Sequence, residues 1–209
     1  SGVETFRDSD GLWNNFKIED VATPNGWRRD KELVLNFYNE RRKQLKIVQP
    51  NKAHELLAKL EDYFDVTIAT QNVDDLHEKA GSTNVIHLHG ELTKVRSTLD
   101  SKLVYDWTED LNLGDKCEKG SQMRPHIVWF GEAVPEIGNA ANLVESADIL
   151  VVIGTSLSVY PSLLNFIGSE VPISLIYPCN PHKVAKPNFT YIEQTAVNGV
   201  ADLKQLLVK

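Results

Sequence analysis

Ala147-Asp-Ile-Leu-Val-Val-Ile153, running into Gly154-Thr155-Ser156, is the stretch that decides the fold. An almost unbroken aliphatic run is what a parallel strand covered on both faces requires, because neither side-chain direction meets water. Two further apolar segments read the same way, Asp65-Val-Thr-Ile-Ala69 upstream and Ile173-Ser-Leu-Ile-Tyr177 downstream. Helix-like stretches alternate with them. Asn51 suits the N-cap of a helix carrying Ala53, Leu56, Leu57, Leu60 and Phe64 at spacings of three and four. Another carries Ala140, Leu143, Val144 and Ala147, and the C-terminal stretch carries Val200, Leu203, Leu206 and Leu207. Strand and helix in alternation predict an α/β fold built on a doubly wound parallel sheet.

The residues after each strand carry the chemistry. The first strand leads into Thr70-Gln71-Asn72-Val73-Asp74, the second into Gly154-Thr155-Ser156, the third into Pro178-Cys179-Asn180. In an open parallel sheet the C-terminal strand ends share one crest, where ligands bind. Three such turns suggest a nucleotide site of hydroxyls, amides and backbone N–H groups, although polar residues also end strands that bind nothing. Two stretches break the alternation. Residues 13–47 look helical and are rich in aromatics and charges, and residues 91–125 are polar with little periodicity. Both are expected in a small domain inserted into a main domain of 1–12, 48–90 and 126–209.

Composition narrows the classes. With 209 residues, 42% hydrophobic and 24% charged, the chain has ordinary globular composition. No apolar run reaches the roughly 18 residues of a membrane span. The formal net charge of −7 opposes phosphate backbones, so neither nucleic acid nor membrane is expected as a partner. Cys117 and Cys179 lie far apart and form no CxxC pair, which predicts neither a disulfide framework nor a four-cysteine metal site. A reducing, cytoplasmic compartment is the default, and a monomer is expected.

Five blocks, in order, carry a resemblance to a known family. They are Gly2-Val-Glu-Thr-Phe-Arg7; Thr70-Gln-Asn-Val-Asp-Asp-Leu-His77 with Ala80-Gly81; His87-Leu-His89-Gly90; Ile127-Val-Trp-Phe-Gly-Glu132; and Gly154-Thr-Ser-Leu-Ser-Val-Tyr-Pro161. Together they span nearly the whole chain, which resembles the sirtuins, specifically the bacterial-type NAD-dependent protein deacylases. The resemblance implies a Rossmann-like NAD-binding domain, a small insert domain, and an acyl-lysine protein or peptide held between them. It implies transfer of the acyl group to ADP-ribose with release of nicotinamide. Phe6 and Arg7 are then assigned to the cofactor, as are Gln71, Asn72 and Asp74 around the nicotinamide and its ribose. Carboxamides suit a primary amide because they donate and accept at once. Gly154, Thr155 and Ser156 take the ribose and phosphates, and Asn180 and Ala196 the adenosine end, although Tyr177-Pro-Cys-Asn180 departs from the family's wording.

His89 is the implied general base, since an imidazole titrates near neutrality and can take a hydroxyl proton at working pH. By residues alone, His87 and His89 on one strand face would also suit metal ligation or packing. Val128, Phe130, Gly131, Glu132, Val159 and Tyr160 match the segments that hold the substrate peptide as an added strand. Ile127-Val-Trp-Phe also reads as an ordinary buried strand.

Tyr38-Asn39-Glu40-Arg41 addresses acyl specificity. Helical residues three apart share a face, so phenol and guanidinium can point together. An Arg fork binds a carboxylate through two hydrogen bonds, and the phenol adds a donor. Such a pair is also common on helix surfaces. Within the family, Tyr-x-x-Arg here resembles the desuccinylase and demalonylase class. Ala22, in Val21-Ala-Thr-Pro24, leaves room for a longer acyl chain.

Two departures qualify the resemblance. The family's Gly-Ala-Gly-x-Ser phosphate loop would precede Ser1; a sheet formed without it is expected to lack a central strand and to bind NAD weakly. The segment is expected to belong to the protein. Most members also place two CxxC pairs where this chain has only Cys117, with His126 nearby. One thiolate cannot complete a tetrahedral site, so no metal is expected. Leu99, Leu103, Val104, Tyr105, Trp107 and Leu111 are expected to pack the small domain instead. The alternatives are a degenerate module that binds NAD or ADP-ribose, and an NAD glycohydrolase or ADP-ribosyltransferase.

Overall fold

The computed structural model describes residues 12–13, 16–155, 171–178 and 188–208, with side chains from residue 16 onward. In chain order the first elements are β1 (Leu12–Trp13), β2 (Phe16–Lys17), α1 (Ile18–Val21), α2 (Pro24–Arg29), α3 (Lys31–Leu45), α4 (Lys52–Ala58), β3 (Ile68–Thr70) and α5 (Leu76–Lys79). There follow β4 (Val85–His87), β5 (Gly90–Ser97), β6 (Val104–Asp106), β7 (Met123–Ile127), α6 (Ile137–Ser146), β8 (Leu150–Ile153), β9 (Ile173–Ile176), β10 (Phe189–Ile192) and α7 (Ala196–Leu207). The chain divides into two compact units: Ser1–Gln49, Ala69–Leu76 and His87–Pro135 in the first, Pro50–Ile68, His77–Ile86 and Glu136–Lys209 in the second.

The second unit contains a parallel sheet with two of the three strands read from the sequence, joined by β10. The third, expected over Asp65–Ala69, is the shorter β3, which lies in a separate two-stranded sheet with β4. The parallel sheet has the strand order β10-β9-β8, with Leu150 level with Ile173 and Ile173 level with Phe189. The strand expected from Ala147 begins only at Leu150, because α6 runs to Ser146 and Ala147 is its C-cap. Burial also differs from the expectation. All four residues of β8 are half-buried rather than covered on both faces. Among the described residues β8 pairs only with β9, so it is an edge strand here, while Ile173, Leu175 and Ile176 of β9 are buried.

Helix α7 closes this core with Val200 and Leu203, both fully buried. Burial of each contributes about 1.5–3 kcal/mol. The helix lies so close that a Cβ on Gly199 would stand 2.3 Å from Ile176 Cγ2. Leu206, expected on the apolar face, is exposed instead. Helix α4 starts as predicted at Asn51, whose side chain accepts from the Ala53 and His54 N–H groups, while His54 Nδ1 accepts from Asn51 N–H. A histidine thus fills the capping-box position usually held by Glu or Gln.

The first unit is organised by α3. Asp30 caps it by accepting from Leu33 N–H, and Arg42 and Lys43 lie in its last turn, where cations complement the helix dipole. Val34, Leu35, Phe37, Tyr38, Arg41, Arg42 and Leu45 are buried at helical spacing. The apolar ones and Tyr38 join Ala22, Trp27, Leu92, Val95 and Trp129 in one core. Residues 91–125, read as aperiodic, contain most of an antiparallel sheet of order β6-β5-β7. The alternation was hidden because β5 is irregular between Glu91 and Val95 and carries Thr93, Lys94 and Arg96. Residues 13–47 and 91–125 both fall in this unit, together with 69–76, 87–90 and 126–135.

Of the six apolar residues expected to pack 91–125, Leu111 is fully buried and Leu103, Tyr105 and Trp107 pack against the core. Leu99 and Val104 do not. Leu99 sits in a turn closed by the Ser97 hydroxyl, and Val104 faces outward on β6.

Candidate active site

His89 follows β4 and precedes β5. Its Nδ1 lies 3.0 Å from the Gln71 carbonyl oxygen, which can only accept, so Nδ1 carries the hydrogen and Nε2 is the basic nitrogen. Burial, partly offset by that bond, holds the imidazole below its ordinary range. His87 repeats the arrangement, with Nδ1 3.2 Å from the Asn72 carbonyl oxygen. The two histidines of His87-Leu-His89 therefore bind successive carbonyls of the turn after β3. The His89 carbonyl oxygen accepts from Val128 N–H at 2.9 Å, tying the segment after β7 to the same place.

Gly90 makes this join possible. It has a φ of +80°, and a Cβ there would lie 2.0 Å from the His126 carbonyl oxygen. Asp74 is buried and accepts from Leu76 N–H, while Gln71 is half-buried and Asn72 exposed. The structure thus gathers His89, Gln71, Asn72, Asp74 and Val128 within the first unit.

Tyr38 and Arg41 do not lie on an exposed helix surface. They are 0% and 5% exposed. The Arg41 guanidinium carbon stands 3.4 Å from the Phe37 ring centroid, and its Nη1 donates to the Phe37 carbonyl oxygen. The Tyr38 hydroxyl accepts from Trp129 Nε1 at 3.0 Å. Ala22, 3% exposed, shares this core, and its carbonyl oxygen accepts from Phe130 N–H at 3.0 Å. Phe130 and Gly131 themselves are exposed.

Glu132 turns inward. Its carboxylate accepts from Arg124 Nη1 at 2.7 Å, Arg124 Nη2 at 3.0 Å, Arg96 Nη2 at 3.2 Å and Trp129 N–H at 2.8 Å. Burial alone would raise its pKa, but these donors outweigh it and hold the carboxyl below its ordinary value. The Arg124 guanidinium also stacks 3.2 Å from the Trp129 ring centroid.

In the second unit, Gly154 follows β8 with a φ of +69°, and none of the described residues comes within 4 Å of where a Cβ would lie. Thr155 beside it is half-buried, and Ala196 opens α7. Phe6, Arg7, Ser156, Val159, Tyr160 and Asn180 lie outside the described residues. Among the described residues no group of three or more His, Cys, Asp or Glu side chains could hold a metal, and no helix is long and apolar enough to cross a membrane. Cys117 is hydrogen-bonded by Ser97 and Ser121.

Residues 1–161 match the family model described as the Sir2 family. This chain belongs to the Sir2 family. It is 51% identical over 211 residues to a Helicobacter pylori protein named NAD-dependent protein deacylase, with 100% of this chain and 92% of that one covered. A Bacteroides thetaiotaomicron protein of the same name is 51% identical over 216 residues, with the same coverage. Among solved structures, a mutant Sir2 homologue in complex with ADP-ribose has a TM-score of 0.85 at 38% identity, covering 100% of this chain and 89% of that one. A Sir2 homologue in complex with NAD gives the same TM-score and identity, covering 99% and 83%. The Rossmann-like α/β reading of this Sir2-family protein therefore stands.

Sequence reasoning passed over Asn39, Arg42, Arg124 and Trp129. Asn39 Oδ1 accepts from Leu111 N–H and from Arg42 Nη1, and Arg42 Nε donates to the Leu92 carbonyl oxygen. A buried guanidinium looks like a surface residue in a sequence. Trp129 was visible, but a tryptophan in an apolar strand reads first as core.

Proposed function

We propose that this Sir2-family chain is an NAD-dependent deacylase of protein lysines that prefers succinyl and malonyl over acetyl groups. The observation that carries the acyl preference is the burial of Tyr38 and Arg41 on α3, with Tyr38 in the same core as Ala22. A guanidinium and a phenol kept from water favour a group that brings its own negative charge, because hydrogen bonds to a charged partner are the stronger kind.

The residues present fit the cofactor. Gly154 offers bare backbone with open space at its Cα, as a closely approaching phosphate or ribose requires. Within the first unit, Gln71, Asn72 and Asp74 would hold the nicotinamide end. When bound, NAD supplies a glycosidic bond whose cleavage yields the ADP-ribosyl acceptor of the acyl group. His89 Nε2 takes the hydroxyl proton, and the Gln71 carbonyl fixes the ring so that this nitrogen stays basic. The exposed Phe130 and Gly131, anchored through Ala22 and through the inward carboxylate of Glu132, present main-chain groups to an extended peptide. The reading takes the chain to act in the cytoplasm, as a monomer, on acyl-lysine proteins or peptides, without nucleic acid or membrane.

The test is deacylation of one peptide carrying acetyl-, succinyl- or malonyl-lysine, with and without NAD. Faster NAD-dependent loss of succinyl or malonyl is expected, and Arg41→Met should lower that rate far more than the acetyl rate. Equal losses on all three would remove the carboxylate pocket. Nicotinamide release without peptide would point instead to a glycohydrolase.

A further inference from the structure

We propose that Trp129 is a positioning residue for acyl selectivity: its indole N–H occupies the acceptor side of the Tyr38 hydroxyl and leaves the phenol proton for a carboxylate on the acyl group. The inference rests on the acidic-acyl reading above and names the group that makes the phenol a directed donor.

The polarity of the Trp129–Tyr38 bond is fixed by chemistry. An indole N–H only donates, whereas a phenol hydroxyl offers one O–H and two lone pairs. At 3.0 Å from Nε1 the oxygen must be the acceptor, so its own hydrogen points elsewhere. Among the described residues that hydrogen has no acceptor. Tyr38 is 0% exposed and Trp129 2%, so bulk solvent does not reach it. Burial pushes the phenol far above its ordinary titration range, and it stays protonated at every working pH. A buried donor without a partner favours the ligand that completes it. An ionised carboxylate is an acceptor-only group and completes it; an acetyl methyl does not.

The indole cannot turn away. The Arg124 guanidinium covers one face at 3.2 Å from the centroid, and the Trp27 ring lies 5.8 Å away, centroid to centroid. The Trp129 backbone N–H is bound to Glu132, itself held by Arg124 and Arg96. The ion-paired cluster thus aims a neutral hydrogen bond.

The experiment measures kcat and KM for acetyl-, succinyl- and malonyl-lysine peptides in the wild type, Arg41→Met, Tyr38→Phe, Trp129→Phe and the double variant Tyr38→Phe/Trp129→Phe. Trp129→Phe keeps an aromatic ring and removes the N–H. For Trp129→Phe the expected result is a rise of about fivefold to tenfold in KM for the acidic acyl groups, the order of one ordinary net hydrogen bond, since the phenol itself remains and only its orienting donor is lost. Changes in kcat, and in the acetyl KM, should stay within about twofold. In the Tyr38→Phe background the tryptophan change should add nothing to selectivity.

If the wild type prefers succinyl and Tyr38→Phe lowers that preference, but Trp129→Phe reduces acetyl and succinyl turnover alike or leaves the preference intact, the inference is overturned and the acidic-acyl reading survives. If the wild type shows no preference and neither Tyr38→Phe nor Arg41→Met changes the ratio, both fall. Should Trp129→Phe fail to melt cooperatively, benzothienylalanine placed at 129 keeps the bicyclic shape without the N–H and decides the same question.

Discussion

The second unit clusters Ala53, Ile176, Ile192, Val200 and Leu203 in its core, all aliphatic, whereas the first buries Asn39, Arg41, Arg42 and Arg124 beside its aromatic rings. Aliphatic packing is non-directional and asks only for area and fit. A buried guanidinium is costly unless it finds acceptors, and each directional bond it makes constrains where a neighbour stands. The first unit, which accepts that cost, also holds His89, Tyr38 and Arg41, the proposed base, phenol and guanidinium. The second builds an aliphatic platform whose strand end carries Gly154.

Arg124→Met is the most severe test of the contrast. It strips the half-buried Glu132 of two hydrogen bonds and its stacked counter-charge, and about 3–4 kcal/mol of stability should be lost in urea unfolding. A loss under about 1 kcal/mol, typical of surface pairs, would erase the distinction. Leu203→Ala, in the other unit, should cost somewhat less, about 3 kcal/mol, through lost burial and the cavity left behind. It should leave the ratio of succinyl to acetyl turnover where it was; a changed ratio would show that selectivity is not confined to the polar core.

A gentler effect should appear in the pH profile of kcat/KM. Burial depresses the His89 pKa, and in the proposed role of neutral base this gives full activity above the depressed value and a fall as pH drops through it. The acid limb should therefore lie below about 6.5, the ordinary imidazole value. A limb at or above that value would mean another group controls the rate. The smallest effect belongs to Leu206→Ser, which should shift stability by less than about 0.5 kcal/mol because that side chain already faces water.

The same contrast explains what the sequence disclosed. Periodicity found β8, β9 and the capped helix at Asn51, because aliphatic runs and N-caps are local signals, but it missed β10 and set β3 in the wrong sheet. It lengthened one strand into Ala147 and buried Leu206, since helix ends and the width of an apolar face are set by neighbours. Sheet β6-β5-β7 escaped it, because an irregular β5 breaks alternation and polar residues interleave. At the site, Tyr38 and His89 were legible as types in a pattern. The inward turn of Glu132 and the indole donor on Tyr38 were not, because both depend on partners remote from one another in the chain.

Gly90 carries a consequence of a different kind. With the His126 carbonyl 2.0 Å from where a Cβ would stand, and a backbone angle that side-chain-bearing residues avoid, every amino-acid substitution there pushes β5 and β7 apart beside His89. A library randomised at that codon and selected for activity should return only synonymous changes. The position then serves as a genetic marker of an intact His89 segment, although glycine itself has no side chain with which to take part in the chemistry.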